Sequence, residues 1–90
     1  MYAVKMSIRI DPATAAETSA TFSSTIIPQL KALDGYLKSY WLDPIEGEGF
    51  GFAVFATQKA AESALDSMAE WFKQVVELEL AEVRRIAVEV

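Results

Sequence analysis

From Tyr2 to Ile10 apolar and polar residues alternate, with Val4, Met6, Ile8 and Ile10 on one face and Lys5, Ser7 and Arg9 on the other. A period of two with one apolar face predicts a strand, its apolar side lying under helices. Asp11–Pro12 then supplies an N-cap and a first helical residue whose missing N–H is of no consequence there. Ala15, Phe22, Ile26, Leu30 and Leu33 recur at three- and four-residue steps, which predicts a helix to about Leu33, stopped by Asp34–Gly35. Pro28 interrupts that pattern. Both a kinked helix and a break near Thr25–Ile27 stand open, because proline removes a helical donor and crowds the preceding turn.

Next come two aromatic-rich runs, Tyr36–Leu42 and Phe50–Ala56, around an acidic, Gly- and Pro-containing segment, Asp43–Gly49. This pattern predicts a β-hairpin with a solvated connection. In the first run Tyr36, Lys38, Tyr40 and Leu42 fall in one phase and Leu37, Ser39 and Trp41 in the other. In the second, Phe50, Phe52, Val54 and Ala56 oppose Gly51, Ala53 and Phe55. Neither run has a clearly polar face, the pattern of strands covered on both sides. Thr57 can cap a second helix beginning near Gln58, whose stripe runs Ala61, Ala64, Leu65, Met68, Phe72, Val75 and Val76. Its periodicity predicts helix to about Leu80, with a bend near Ser67–Glu70 as the alternative to one long rod. Ile86, Val88 and Val90 against Arg85, Ala87 and Glu89 predict a fourth strand over Glu82–Val90, with Arg85 and Glu89 expected to meet ionic partners across strands.

The order β-α-β-β-α-β is the ferredoxin-like arrangement. It predicts one α+β domain over residues 1–90, a four-stranded antiparallel sheet with both helices on one face. That leaves the other face uncovered, carrying an apolar row from each hairpin strand. Of the chain, 52% is hydrophobic, more than a core of 90 residues can hide. A second copy of the chain or a ligand cavity would absorb the excess. A standard interface of about 1,600 Å² leads to the expectation of a homodimer.

Composition removes several chemistries. There is no Cys and no His, so no thiolate, no imidazole metal ligand and no histidine-based triad. A net charge of −5 argues against nucleic acid, which needs a basic footprint. No apolar run reaches the length of a membrane span, and the N-terminus has charges through it where a signal peptide would have an apolar core. A cytoplasmic protein with no membrane partner is the expectation. Glu46 and Glu48 are too few carboxylates to predict a metal. Trp41, Tyr40 and Tyr36 are candidates for an aromatic pocket, against the ordinary role of such residues in packing. Arg9 and Lys5 are candidates for an anion, against solvated sheet charge. Lys38 lies between Tyr36 and Tyr40 in phase, where a stem covering aromatic surface is the plainer role.

DGYLKSYWL, the acidic turn and GFAVFATQKAAESAL together resemble the dimeric α/β-barrel superfamily, in its antibiotic biosynthesis monooxygenase-like branch. IIPQLKALDGYLKSY is similar to that group's passage of proline, helix end, glycine and aromatic strand. The resemblance implies two sheets closing a barrel across a dimer. It also implies a small hydrophobic or aromatic ligand held between sheet and helices, with Trp41, Phe55, Phe52 and Phe22 as its contacts. Members oxidise polycyclic phenols without metal or flavin, or degrade haem; the former implies no cofactor here. In such a reaction Tyr36, Tyr40 and Trp41 would position the substrate, and Arg9 would stabilise negative charge. The aromatic closing the third strand, typically Trp in the family, corresponds to Phe55. The Asn that quinone-forming members place four residues earlier corresponds to Gly51. The haem-degrading members' His on the second helix has no counterpart. The resemblance and the two-sided apolar strands point to an oxygenase-like small-ligand protein; the absence of His, Cys and Asn favours the alternative of a non-catalytic dimeric interaction module, and a regulatory ligand-sensing domain ranks last.

Overall fold

The computed structural model describes all 90 residues. Its elements are β1 (Tyr2–Arg9), a helical arm, β2 (Tyr36–Trp41), β3 (Glu48–Phe55), a helix of 16 residues (Gln58–Lys73) and β4 (Glu77–Arg85). The arm opens on a tight 3₁₀ turn (Pro12–Thr14) and continues as α1 (Ala15–Thr21), a wide π turn (Phe22–Ile26) and α2 (Ile27–Lys31); the helix Gln58–Lys73 is therefore α3. The strands form one sheet in the order β2-β3-β1-β4, every neighbouring pair antiparallel. This is the ferredoxin-like α+β fold expected from the element order. No helix is long and apolar enough to cross a membrane.

β1 follows its alternation. Val4 and Met6 are buried under the helices, and Lys5, Ser7 and Arg9 share the opposite, open face with Phe50, Phe52 and Val54 of β3. The core joins Val4, Met6, Ala53 and Phe55 of the sheet to Ile26 and Leu30 of the arm and to Ala61, Ala64, Met68 and Phe72 of α3. Phe55 and Phe72 are its largest fully buried members.

The caps read from sequence hold. The Asp11 carboxylate accepts from the Ala13 amide at 2.9 Å, and the Thr57 hydroxyl accepts from the Ala60 amide at 3.1 Å. Thr57→Ala should destabilise the protein by about 1 kcal/mol, read as a lower urea midpoint at unchanged slope. At Pro28 the structure takes neither a clean break nor a simple kink. The Ile27 amide donates to the Phe22 carbonyl across a π turn, and Pro28 falls on the first turn of α2. Widening the helix there moves the carbonyl of the previous turn away from the proline ring, in a place where the ring's absent donor costs little.

Three boundaries differ from expectation. α3 is unbroken and ends at Lys73, and β4 occupies Glu77–Arg85 in place of Glu82–Val90. β4 pairs along the whole of β1, and the Ile86 amide donates to the Met1 carbonyl. Ile86, Val88 and Val90 lie beyond β4, outside the sheet, and neither Arg85 nor Glu89 forms an ion pair. The hairpin connection is tight: the amides and carbonyls of Ile45 and Glu48 exchange bonds of 2.9 Å around Glu46 and Gly47. Both turn residues have positive φ, 52° and 82°, the type I′ geometry that matches strand twist and suits glycine. The Ile10 amide donates to the Gly47 carbonyl at 2.7 Å, fastening the turn to the end of β1.

Candidate functional site

An irregularity in β2 decides which aromatics meet. The register between β2 and β3 shifts between Tyr36 and Lys38, with Leu37 as the extra residue. Strict alternation places Tyr36 with Tyr40 and apart from Trp41; the bulge reverses this. Tyr36, Ser39 and Trp41 now share the helix-covered face, and the Tyr36 hydroxyl bonds to the Ser39 hydroxyl at 2.9 Å. Lys38 and Tyr40 turn to the open face, with the Lys38 Nζ 6.0 Å from the Tyr40 ring.

Trp41 forms part of the wall of a cavity of about 500 Å³ between sheet and helices. Met6, Ile8, Gly49 and Gly51 line it from the sheet, Ala15, Ala16, Thr18, Ser19 and Phe22 from the arm, Phe72 from the end of α3, and Val75 and Val76 from the turn after it. Leu42, Asp43 and Pro44 line it from the hairpin. The small residues Ala15, Ala16 and Ser19 leave space where a longer side chain would close onto the sheet. The aromatic wall is tightly built: Phe22 meets Trp41 edge-on at 5.2 Å, and Phe72 lies 5.7 Å from Phe22 and 5.4 Å from Trp41.

Gly51 is what lets Trp41 lie there. A Cβ on Gly51 would stand 2.1 Å from Trp41 Cε3 and 2.7 Å from the Tyr40 carbonyl oxygen. The indole rests on bare backbone. Trp41 Nε1 is the one buried side-chain nitrogen or oxygen without a hydrogen-bond partner. An orphaned buried donor costs about 1–3 kcal/mol, so a ligand oxygen that accepted from it would remove that penalty.

The residues singled out from sequence are dispersed. Trp41 and Phe22 come together on the cavity wall. Phe55 is fully buried in the core, edge-on to Tyr36 at 6.0 Å. Phe52 and Tyr40 pack with tilted rings, centroids 5.5 Å apart, on the open face of the sheet. Arg9 is also on that face and is held by two carboxylates, Glu48 at 3.0 Å and Glu79 at 3.5 Å. Glu79 first and Glu48 second push its already high pKa further up, so it stays cationic. Lys5 reaches Glu82 at 3.5 Å and lies 5.8 Å from the Phe50 ring. Glu48 is thus engaged by Arg9, and no three acidic side chains converge on a point that could hold a metal ion. Of the wall residues, sequence reasoning singles out only Trp41 and Phe22 for binding; Asp43, Thr18, Ser19 and Phe72 are among those it does not. They come from three separate segments, and only the alanine and serine content of the arm hinted at room beneath it.

No protein-family model matches the sequence, and no curated protein matches it. Solved structures do match in shape. A Deinococcus radiodurans protein provisionally assigned to the antibiotic biosynthesis monooxygenases superposes over 100% of this chain and 96% of its own, with a TM-score of 0.75 at 13% identity. SnoaB, a cofactor-independent oxygenase of Streptomyces nogalater, superposes over 99% and 95%, with a TM-score of 0.76 at 14% identity. The ActVA-Orf6 monooxygenase of Streptomyces coelicolor, solved in complex with nanaomycin D, superposes over 99% and 89%, with a TM-score of 0.70 at 12% identity. The chain's structural neighbours are therefore antibiotic biosynthesis monooxygenase-domain proteins, and it has their ferredoxin-like fold.

Proposed function

We propose that this is a homodimeric protein that binds a small hydrophobic, aromatic molecule between its sheet and helices. The cavity at Trp41 carries the reading. Its volume of about 500 Å³ lies within the roughly 300–1,000 Å³ usual for small-molecule sites. Its wall is mostly apolar with a few polar groups, as such sites are. One neighbour of the same fold, ActVA-Orf6, holds nanaomycin D. Adding polycyclic phenols to a Trp71→Phe variant should quench Trp41 fluorescence saturably. A panel of such ligands that leaves Trp41 emission unchanged overturns the reading.

The open sheet face supports the dimer. Phe50, Phe52, Tyr40 and Leu80 are apolar or aromatic and incompletely covered in one chain, while Lys5 and Arg9 are already neutralised by Glu82, Glu48 and Glu79. Most of the charge on this face is paired internally, and the exception, Lys38, has a long stem that can carry its ammonium to the rim, so the face can be buried against its twin. Light scattering at micromolar concentration should report a dimer. Phe52→Glu, which places two like charges near a two-fold axis, should shift it to monomer with the fold retained by circular dichroism.

SnoaB performs cofactor-independent oxygenation on this fold, which makes oxygenation of a bound phenol the catalytic form of the proposal. One observation favours the non-catalytic form: Gly51 and the indole above it leave no side chain where quinone-forming relatives in the resembling family place their amide. Oxygen uptake on adding a ligand that quenches Trp41 supports the first. Quenching without uptake across the panel supports the second.

A further inference from the structure

The wall of the Trp41 cavity contains one ionisable side chain, Asp43. Every other residue on it is apolar, a glycine or a neutral hydroxyl. Asp43 is exposed and lies just beyond β2, so it sits where the wall meets solvent. It takes part in none of the ion pairs, all of which lie on Lys5, Arg9, Arg84 and their carboxylate partners. No side-chain hydrogen bond engages it either. The protein thus presents an unneutralised carboxylate at the rim of an otherwise uncharged, apolar site. The low-dielectric wall does little to screen it on the ligand's side.

We propose that Asp43 sets the charge class of the ligand. The cavity takes aromatic molecules that carry a hydrogen-bond donor or a positive charge at one end, and turns away aromatic carboxylates. The planar part of the ligand lies against Trp41 and Phe22. Its hydroxyl or ammonium group points back to the rim and donates to the Asp43 carboxylate. An anionic end group in the same pose meets like charge. This rests on the cavity being a ligand site, and the test separates the two claims.

The probes are 1-naphthylmethylammonium, 1-naphthylmethanol and 1-naphthylacetate, which share one ring system and one methylene, so the apolar contribution is common to all. Binding is read as Trp41 quenching in the Trp71→Phe protein. The ammonium probe should bind about tenfold more tightly than the carboxylate, the size expected when a partly screened charge attracts one probe and repels the other. That ratio should shrink as salt rises from roughly 0.05 to 0.5 M, because the rim is solvated. Asp43→Asn should bring the two probes to within about twofold, and Asp43→Glu should restore most of the discrimination. Glu70→Gln, which removes the same formal charge from the exposed side of α3 away from the cavity, should leave it intact. If all three probes bind and the ratio is unmoved by Asp43→Asn, or Glu70→Gln moves it equally, the assignment to Asp43 fails while the cavity stands as a ligand site. If no probe binds, both claims fail.

Discussion

Phe72→Ala should cost the protein about 3–5 kcal/mol of stability, the largest loss expected of any single core truncation here. Phe72 is 1% exposed and is packed on two rings, Phe22 and Trp41. Removing it takes away burial and two aromatic contacts at once. It also opens a void beside a cavity that already exists, so the surroundings cannot collapse to fill it, and cavity cost scales with the volume left behind. Domains of this size have about 5–15 kcal/mol in total, so the variant should lie near the threshold of folding. Urea denaturation followed by far-ultraviolet circular dichroism measures it. A loss below about 1.5 kcal/mol, the level of a volume-conserving swap, would mean that the aromatic wall is not part of the cooperative core. Trp41 emission should shift to the red in the same variant, since its indole loses one face of its packing.

Gly51→Ala tests the other side of that wall. The added methyl meets Trp41 Cε3 at 2.1 Å and the Tyr40 carbonyl at 2.7 Å. The indole cannot swing aside freely, being held by Phe22 and Phe72, and the carbonyl belongs to the neighbouring strand. Overpacking of this kind costs about 1–3 kcal/mol, and this site belongs at the upper end because one of the two obstacles is backbone. Ligand quenching of Trp41 should be lost together with stability. Gly49→Ala is the comparison: there the nearest atoms are the side-chain carbons of Ile8 at 2.9 and 3.2 Å, which can rotate, so its cost should be clearly smaller. In a Trp41→Ala background the Gly51→Ala penalty should fall without vanishing, giving a coupling above about 0.5 kcal/mol. Additive effects would show that Trp41 does not depend on the bare backbone beneath it. A side chain at position 51 and an indole lying across it exclude one another, so no larger residue fits at that place without moving Trp41.

Much of the architecture could be read along the chain, and the reasons are local. Val4 and Met6 are buried because their spacing on β1 puts them on one side of a pleat, and the alternating Lys5, Ser7 and Arg9 leave no doubt which side that is. Asp11 and Thr57 start helices because a short side-chain oxygen satisfies an amide within three residues of itself. Such features need no distant partner, and the β-α-β-β-α-β order follows from them.

Where a distant partner decides, local pattern misleads. Val75 and Val76 continue the stripe of α3, and Ile86, Val88 and Val90 alternate like a strand. The chain nevertheless leaves the helix after Lys73, because Glu77–Arg85 pairs along the free edge of β1. Leu37 shows the same on a finer scale. One unpaired residue, invisible in the polar–apolar pattern, carries Tyr36 to the side of Trp41 and leaves Tyr40 on the opposite face.

The amino-acid order alone therefore settles the succession of elements, the buried face of β1 and the helix starts, since each depends on neighbours a few residues apart. The cavity, its aromatic wall and the carboxylate at its rim belong to the folded molecule only. Met6, Ser19, Trp41, Asp43, Gly51 and Phe72 lie on six different segments, and nothing in any one of them encodes how far it will stand from the others.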